Sequence, residues 1–249
     1  MTSLMYHDVV ESGNFAASGF PGAGADVYKI ERHEFERHLK AIWSTNREVC
    51  LTFDDGGASA FDPIAGMLEG HGWRGYFFIT TDWIGQPGFL NAGQIRELDL
   101  RGHTIGSHSC SHPARMARIS WEQMLREWQS STARLAEIVG HRVEVASVPG
   151  GYYSRRVAEA AAQAGIRTLF TSEPTDAVRD VDGCRVIGRY VVQQGMGPAW
   201  PAGFVAGKLG PRLRQAALWK AKRVAKAMGG GLYLRVRESI LSAQPRPRE

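Results

Sequence analysis

Two short clusters in this sequence carry side chains suited to hydrolytic chemistry. The first is Asp54-Asp55, which ends the apolar run Val49–Phe53 and precedes Gly56-Gly57. Adjacent carboxylates repel each other, and burial raises the cost. A divalent cation relieves one of them and leaves the other free to take a proton from a neighbouring water. The same four residues also fit a plain Asp-Gly turn. The second cluster is His108-Ser-Cys-Ser-His112. Two imidazoles four apart share one face if the segment is helical, and can then chelate a single ion. Taken alone, such a pair is equally compatible with hydrogen-bonded or exposed histidines. Together, one carboxylate and two imidazoles form a three-ligand face with open positions for water and substrate. The N/O donor set suits one divalent ion of the zinc type, though other transition metals could serve. A cation that acidifies water beside a carboxylate base is an apparatus for amide hydrolysis.

The elements that must position these groups alternate. Leu4–Tyr6, Val49–Phe53, Tyr76–Thr80, His103–Ser107, Val143–Val148, Arg167–Thr171 and Arg185–Val192 read as strands. Helices are predicted over 32–44, 60–69, 94–100, 121–139 and 155–165, with Ser120 as N-cap and Gly140 as the stop of the long one. A Gly- and Ala-rich loop covers Ser12–Ala25. Repeated strand–helix units imply an α/β fold with a mainly parallel sheet, whose site lies at the carboxyl ends of the strands. Both clusters follow strand ends. Periodicity does not separate a closed barrel from an open sheet.

At this point the residues resemble a known family. Thr52-Phe-Asp-Asp-Gly56 looks like the first motif of the polysaccharide deacetylases (the NodB-homology domain, carbohydrate esterase family 4), and Gly102-His-Thr-Ile-Gly-Ser-His-Ser-Cys-Ser-His112 looks like their second. Order and separation fit, over roughly Val49–Val192. The resemblance implies a distorted (β/α) barrel, Asp54 as base, and Asp55, His108 and His112 as metal ligands. The family's third motif, Arg-x-Pro-x-Gly, reads here Ser147-Val-Pro-Gly-Gly151, so the arginine that orients the base is replaced and Asp54 must be tuned by something else. The Gly150 N–H is a candidate for facing the oxyanion, or simply part of a turn, and Tyr152 lines a sugar site or merely packs. The family's late Leu-x-x-His motif is missing after the last strand, where Val186-Ile-Gly-Arg-Tyr190 stands. Leu4-Met-Tyr-His7 supplies the same pattern at the start of the chain, so the resemblance extends to circularly permuted members, with His7 as general acid. Arg189 is open to contact with a substrate anion or to a structural role. Cys110 reads as a small filler, and His103 as a structural residue.

Charge is unevenly spread. Phe204–Glu249 holds eleven Lys or Arg and two Glu, a balance of +9, so residues 1–203 carry −4 of the net +5. Residues 1–203 are expected to form the catalytic domain and 204–249 a basic helical tail. In that tail a helix over Pro211–Met228 is followed by a second apolar segment, Leu232–Leu241. Such a helix can lie on an anionic membrane or pack on the barrel. No nucleic acid is expected as a partner, because no recognition motif accompanies the charge. Three cysteines give no disulfide framework. Without a secretory signal pattern at the start, a cytoplasmic setting, peripheral to the inner membrane face, is the expectation. The function expected is removal of an N-acetyl group from a sugar in a polysaccharide, lipid-linked glycan or glycoconjugate precursor. The alternatives are a non-catalytic glycan- or membrane-binding protein on the same fold, and a deacylase of a non-sugar amide or ester.

Overall fold

The structure, a computed structural model, describes residues 1–223. In chain order the elements are β1 (Thr2–Tyr6), β2 (Asp8–Val10), α1 (Ala23–Asp26), β3 (Lys29–Glu31), α2 (Arg32–Trp43), β4 (Val49–Phe53), α3 (Gly66–Glu69), β5 (Tyr76–Ile79) and α4 (Ala92–Leu100). There follow β6 (Thr104–Ser107), α5 (Trp121–Val139), β7 (Val145–Ser147), α6 (Arg155–Gln163), β8 (Thr168–Phe170), β9 (Val178–Val181), β10 (Cys184–Ile187), β11 (Tyr190–Val191) and α7 (Ala199–Val205). Nine strands form one curled sheet in the order β11-β1-β4-β5-β6-β7-β8-β10-β9, while β2 and β3 pair separately. Among the described residues only β9 runs antiparallel to its neighbour in the large sheet.

Side-chain alternation explains how the sheet serves two environments. Leu51 and Phe53 of β4, with Leu4 and Tyr6 of β1 and Phe77 and Ile79 of β5, face outward and bury against the covering helices. Cys50 of β4, Phe78 of β5 and Phe170 of β8 face the concave interior. Thr52 and Asp54 continue that inward row, so the pleat itself delivers the base carboxylate to the mouth of the half-barrel. The long helix α5 begins at a capping box between Ser120 and Gln123 and ends at Gly140 in the left-handed conformation, as its sequence predicts.

Two expectations need correction, and two questions that the residues leave open are answered. The predicted helix over Ala60–Glu69 is broken into a 3₁₀ turn (Ala58–Ala60), a π-helical turn (Phe61–Ala65) and α3, with Asp62 outside helical geometry before Pro63; proline disfavours helix at the residue before it. The single strand expected at Arg185–Val192 is interrupted at Gly188-Arg189, which separates β10 from β11. Closure, which periodicity leaves open, is answered by the sheet: among the described residues it is a half-barrel with β11 and β9 as its edges, the distortion that the resemblance implies, and the first strand sits inside it, between β11 and β4. The β11 edge is covered by a side chain instead, because the Gln215 amide accepts from the Val191 N–H (3.0 Å) and donates to the Val191 carbonyl (2.7 Å). His108 and His112 are not on a helix; the loop between them is described below.

Residues 209–223 are helical. The rest of the expected tail helix and the Leu232–Leu241 segment lie outside the described residues. Among the described residues no helix is long and apolar enough to cross a membrane, and all three cysteines are free.

Packing of the concave face supplies a test. A Cβ on Gly106 would stand 2.6 Å from the Phe78 ring and 2.9 Å from the Val145 carbonyl. Gly106→Ala is therefore expected to destabilise the fold by about 1–3 kcal/mol, as overpacking does, read as a lower urea midpoint at unchanged m value. An unchanged midpoint would mean that Phe78 and β7 yield freely.

Candidate active site

The first two functional carboxylates are consecutive, and in an extended strand they would face opposite ways. Asp55 has φ +77°, a left-handed conformation that aspartate tolerates better than most residues. This one dihedral turns Asp55 back to the side of Asp54. The histidines arrive similarly. His108 follows β6 on the inward row, and its N–H donates to the Ile79 carbonyl (2.9 Å). Ser109 (φ +65°) and His112 (φ +57°) then curl the loop so that the second imidazole returns to the first. Their ring centroids lie 5.1 Å apart. Glu127 of α5 fastens this loop, its carboxylate accepting from the N–H groups of Cys110 (2.8 Å) and Ser111 (2.9 Å) and from the Ser111 hydroxyl (2.6 Å).

Asp55, His108 and His112 each present one ligand atom, and the three lie within 4.8 Å of one another. Their chemistry fits a divalent ion. Asp55 Oδ1 is buried without a hydrogen bond, while Nε2 of His108 and of His112 stand 3.3 and 3.4 Å away. The tautomer of His108 follows from its other nitrogen: Nδ1–H faces the Ser147 carbonyl (3.1 Å) and hydroxyl (2.5 Å), which leaves the Nε2 lone pair aimed at Asp55. Burial lowers the basicity of His108, but the charges of Asp54 and Asp55 outweigh it and raise its pKa. Burial dominates at His112 and lowers its pKa despite Asp55.

Asp54 is held by a residue absent from every motif. Arg189 is fully buried and forks onto Asp54, NH1 to Oδ1 at 2.6 Å and NH2 to Oδ2 at 2.8 Å. The same guanidinium donates to Thr52 Oγ1 (2.9 Å) and the Thr171 carbonyl (3.1 Å), and lies over the rings of Phe78 and Phe170. Burial alone would raise the Asp54 pKa; the charges of Arg189 and His108 more than offset it and hold the carboxyl below its ordinary range. Asp55 is likewise penalised by burial and brought well down, by the neighbouring His108, His7 and His112. Of the two roles open to Arg189, the structure shows the structural one. Ser147, where the family motif has arginine, donates its hydroxyl to Asp54 Oδ1 (3.2 Å) while facing His108. It thus couples the base carboxylate to a ligand imidazole.

The other expected residues sit around this centre. Asp54 N–H donates to the Tyr6 carbonyl (3.1 Å), so His7 and Asp54 are neighbours at the ends of paired strands β1 and β4. The His7 ring packs on Tyr28 (centroids 4.5 Å apart), and its charge acts on Asp54, Asp55 and His112. Gly150 adopts φ +63° in the turn after β7, where a Cβ would stand 3.0 Å from the Ala114 carbonyl. Tyr152 is half-buried beside it. Cys110 is not among the converging ligand atoms; its thiol donates to Asp82 (3.1 Å), and burial pushes it up to about 11. His103 is structural, accepting from the Gly75 N–H (3.0 Å) and facing Glu69 (3.0 Å).

Ligation needs neutral imidazoles, and His108 holds its proton to a higher pH than an ordinary histidine. Metal content after dialysis at stepped pH is expected to fall as pH drops through the histidine range, roughly 7.5 to 5.5. Full occupancy at about pH 5 would contradict the ligand set. Glu127→Ala frees the ligand loop without touching a ligand, and is expected to weaken metal affinity about 10–100-fold in a chelator competition.

Comparison with known proteins agrees with this geometry. Residues 44–169 match the family profile described as polysaccharide deacetylase. YxkH of Bacillus subtilis is 24% identical over 214 residues, covering 78% of this chain and 71% of YxkH. The peptidoglycan-N-acetylglucosamine deacetylase PgdA of Listeria monocytogenes is 30% identical over 116 residues, covering 46% of this chain and 24% of PgdA. Among solved structures, the Streptococcus pyogenes deacetylase PplD, in complex with acetate, superposes with a TM-score of 0.66 at 18% identity, over 80% of this chain and 94% of PplD. IcaB from Ammonifex degensii gives a TM-score of 0.66 at 19% identity, over 82% of this chain and 96% of IcaB. These two likenesses bear on the fold, whereas the profile spans half of the sequence and both ligand motifs, and on that ground the chain belongs to the polysaccharide deacetylase family.

Proposed function

We propose that this protein removes the acetyl group from an N-acetylated sugar of a polysaccharide or glycan precursor. The observation that carries the reading is the convergence of Asp55, His108 and His112 beside a separate carboxylate, Asp54, that is clamped and ionised. A bound divalent ion, for which we propose zinc on the strength of the N/O donor set, would acidify water and polarise the amide carbonyl. Asp54 is the base. Arg189 fixes its plane and Ser147 its inner oxygen, so the carboxylate receives a proton without reorienting. His7 stands at the end of the neighbouring strand and protonates the departing amine. The Gly150 N–H, with Tyr152 beside it, is assigned to the developing oxyanion and the sugar.

The position of His7 on the first strand supports the further reading that this strand has moved from the end to the start of the chain relative to other family members. The same proposal includes peripheral contact with an anionic membrane surface. Its support is the basic sequence after Phe204 and the exposed Leu209, Leu213 and Leu218 on helical residues 209–223.

Acetate release from N-acetylglucosamine oligomers by the zinc-loaded protein tests the function. Turnover that disappears on chelation and returns with metal is expected; fully loaded protein that releases no acetate would leave a binding protein on the same fold. His7→Ala is expected to keep the metal content of the parent while kcat falls about 10²–10⁴-fold. Unchanged kcat would remove His7 from the reaction.

A further inference from the structure

Residues 11–22 form a strap with little apolar burial of its own, yet three anchors hold it. Lys29, buried in β3, donates to the Phe15 carbonyl (2.5 Å). Asp8, buried in β2, accepts from the hydroxyls of Ser18 (2.5 Å) and Ser59 (2.8 Å). The Gly19 N–H donates to the Gly88 carbonyl (2.9 Å). The Asp8 carboxylate is wedged between two glycines, since a Cβ on either Gly19 or Gly57 would come within 2.0 Å of its oxygens. Two buried charged side chains thus fasten the strap, Lys29 to β3 and Asp8 to the loop that begins two residues after Asp55. Burying them is costly, and the catalytic steps above use neither.

What the anchored strap delivers is Phe20. Its ring centroid lies 5.0 Å from that of the ligand His112, 4.9 Å from Trp83 and 5.1 Å from Phe89. Trp83 and Phe89 are themselves 4.8 Å apart. Phe89 is buried, but Phe20 and Trp83 are only half-buried. An aromatic wall therefore stands against the outer side of a ligand imidazole, open in part to solvent. Half-exposed rings gain on being covered by an apolar surface, and the C–H faces of a pyranose ring are such a surface, while its hydroxyl edges require hydrogen-bond partners. An acetyl methyl is too small to cover two rings.

We propose that Phe20 and Trp83 form a subsite for the C–H face of a sugar ring of the substrate, and that the strap held by Asp8 and Lys29 is the element that sets this specificity. The inference rests on the deacetylase reading above. Two substrates separate them: an N-acetylglucosamine oligomer, and an aryl acetate, which carries the same acyl group without a sugar. In the zinc-loaded full chain, Phe20→Ala and Trp83→Ala are expected to raise KM for the oligomer about tenfold, about 1.4 kcal/mol, with kcat within about twofold. The aryl acetate kcat/KM and the metal content are expected to stay at the parent values, and Phe20→Trp to restore the oligomer KM. Calorimetric titration with a glucosamine oligomer, the product type, reads binding without turnover and is expected to show the same tenfold loss. Unchanged oligomer affinity in both variants overturns the subsite. Equal losses on both substrates, or loss of metal, would reduce Phe20 to a support for His112. A parent protein that is metal-loaded and silent on both substrates sinks the deacetylase reading instead, and the calorimetric arm then decides whether the wall binds sugar at all.

Discussion

Two consecutive carboxylates are buried side by side at the mouth of a half-barrel, Asp54 4% and Asp55 8% exposed. Like charges held side by side away from water repel each other. Desolvation adds to that for each ion. Such a pair persists in ionised form only where positive charge compensates each member separately. Arg189 does this for Asp54 through a two-pronged contact, and the ligand triad leaves Asp55 to a cation. The interior of the barrel is built around the first compensation: Phe78 and Phe170 bracket the guanidinium, and Thr52 and the Thr171 carbonyl take two more of its donors. The fold and the base are therefore one problem in electrostatics, solved on the concave face.

The requirement for a guanidinium at Asp54 is geometric rather than topological. Any position on the concave wall within an arginine's length can satisfy it, and β7 and the β10–β11 break both line that wall. Here the arginine comes from the break, where Gly188 passes so close to Glu173 and Thr175 that a Cβ would meet backbone oxygens at 2.4 and 2.6 Å. With the charge supplied from there, the β7 position can be small. Ser147 then adds what an arginine cannot, an acceptor for His108 Nδ1–H and a donor to Asp54 in the same hydroxyl. The base and the ligand are held in register by one side chain.

This also explains which parts were legible in the sequence. The strand Val49–Phe53 and the helix Trp121–Val139 were read with their observed limits, because an apolar run ending in Asp-Asp-Gly and a helix with both caps written in Ser120 and Gly140 are local signals. The ligand triad was legible from residue types, but not its mechanism of convergence. Three left-handed dihedrals, at Asp55, Ser109 and His112, do what a helical face would do, and such dihedrals in residues other than glycine leave little trace in sequence. Arg189 was noticed without its partner, since a contact across 135 positions has no periodicity to betray it. The Gly188 before it was the available signal, a break inside an apolar run. Anchoring of the strap by Asp8 and Lys29 was equally silent, because both lie in short segments that propensity does not mark.

The first strand shows how much one register choice can carry. Parallel pairing sets Tyr6 opposite Phe53. The next residues of each strand, His7 and Asp54, must then emerge together on the concave side, which puts a titratable nitrogen beside the base without any dedicated loop. One residue further, Asp8 and Asp55 diverge: Asp55 turns back into the site through its positive φ, whereas Asp8 stays extended in β2 and points to the strap. The same two-residue step thus places a proton donor and anchors the wall beside His112. A shift of one residue between β1 and β4 would invert both, pointing Asp8 at the two carboxylates and His7 at Ser18. The burial of Leu4 and Tyr6 against Leu51 and Phe53 is what forbids that shift, so the apolar face of the sheet sets the order of charges on its polar one.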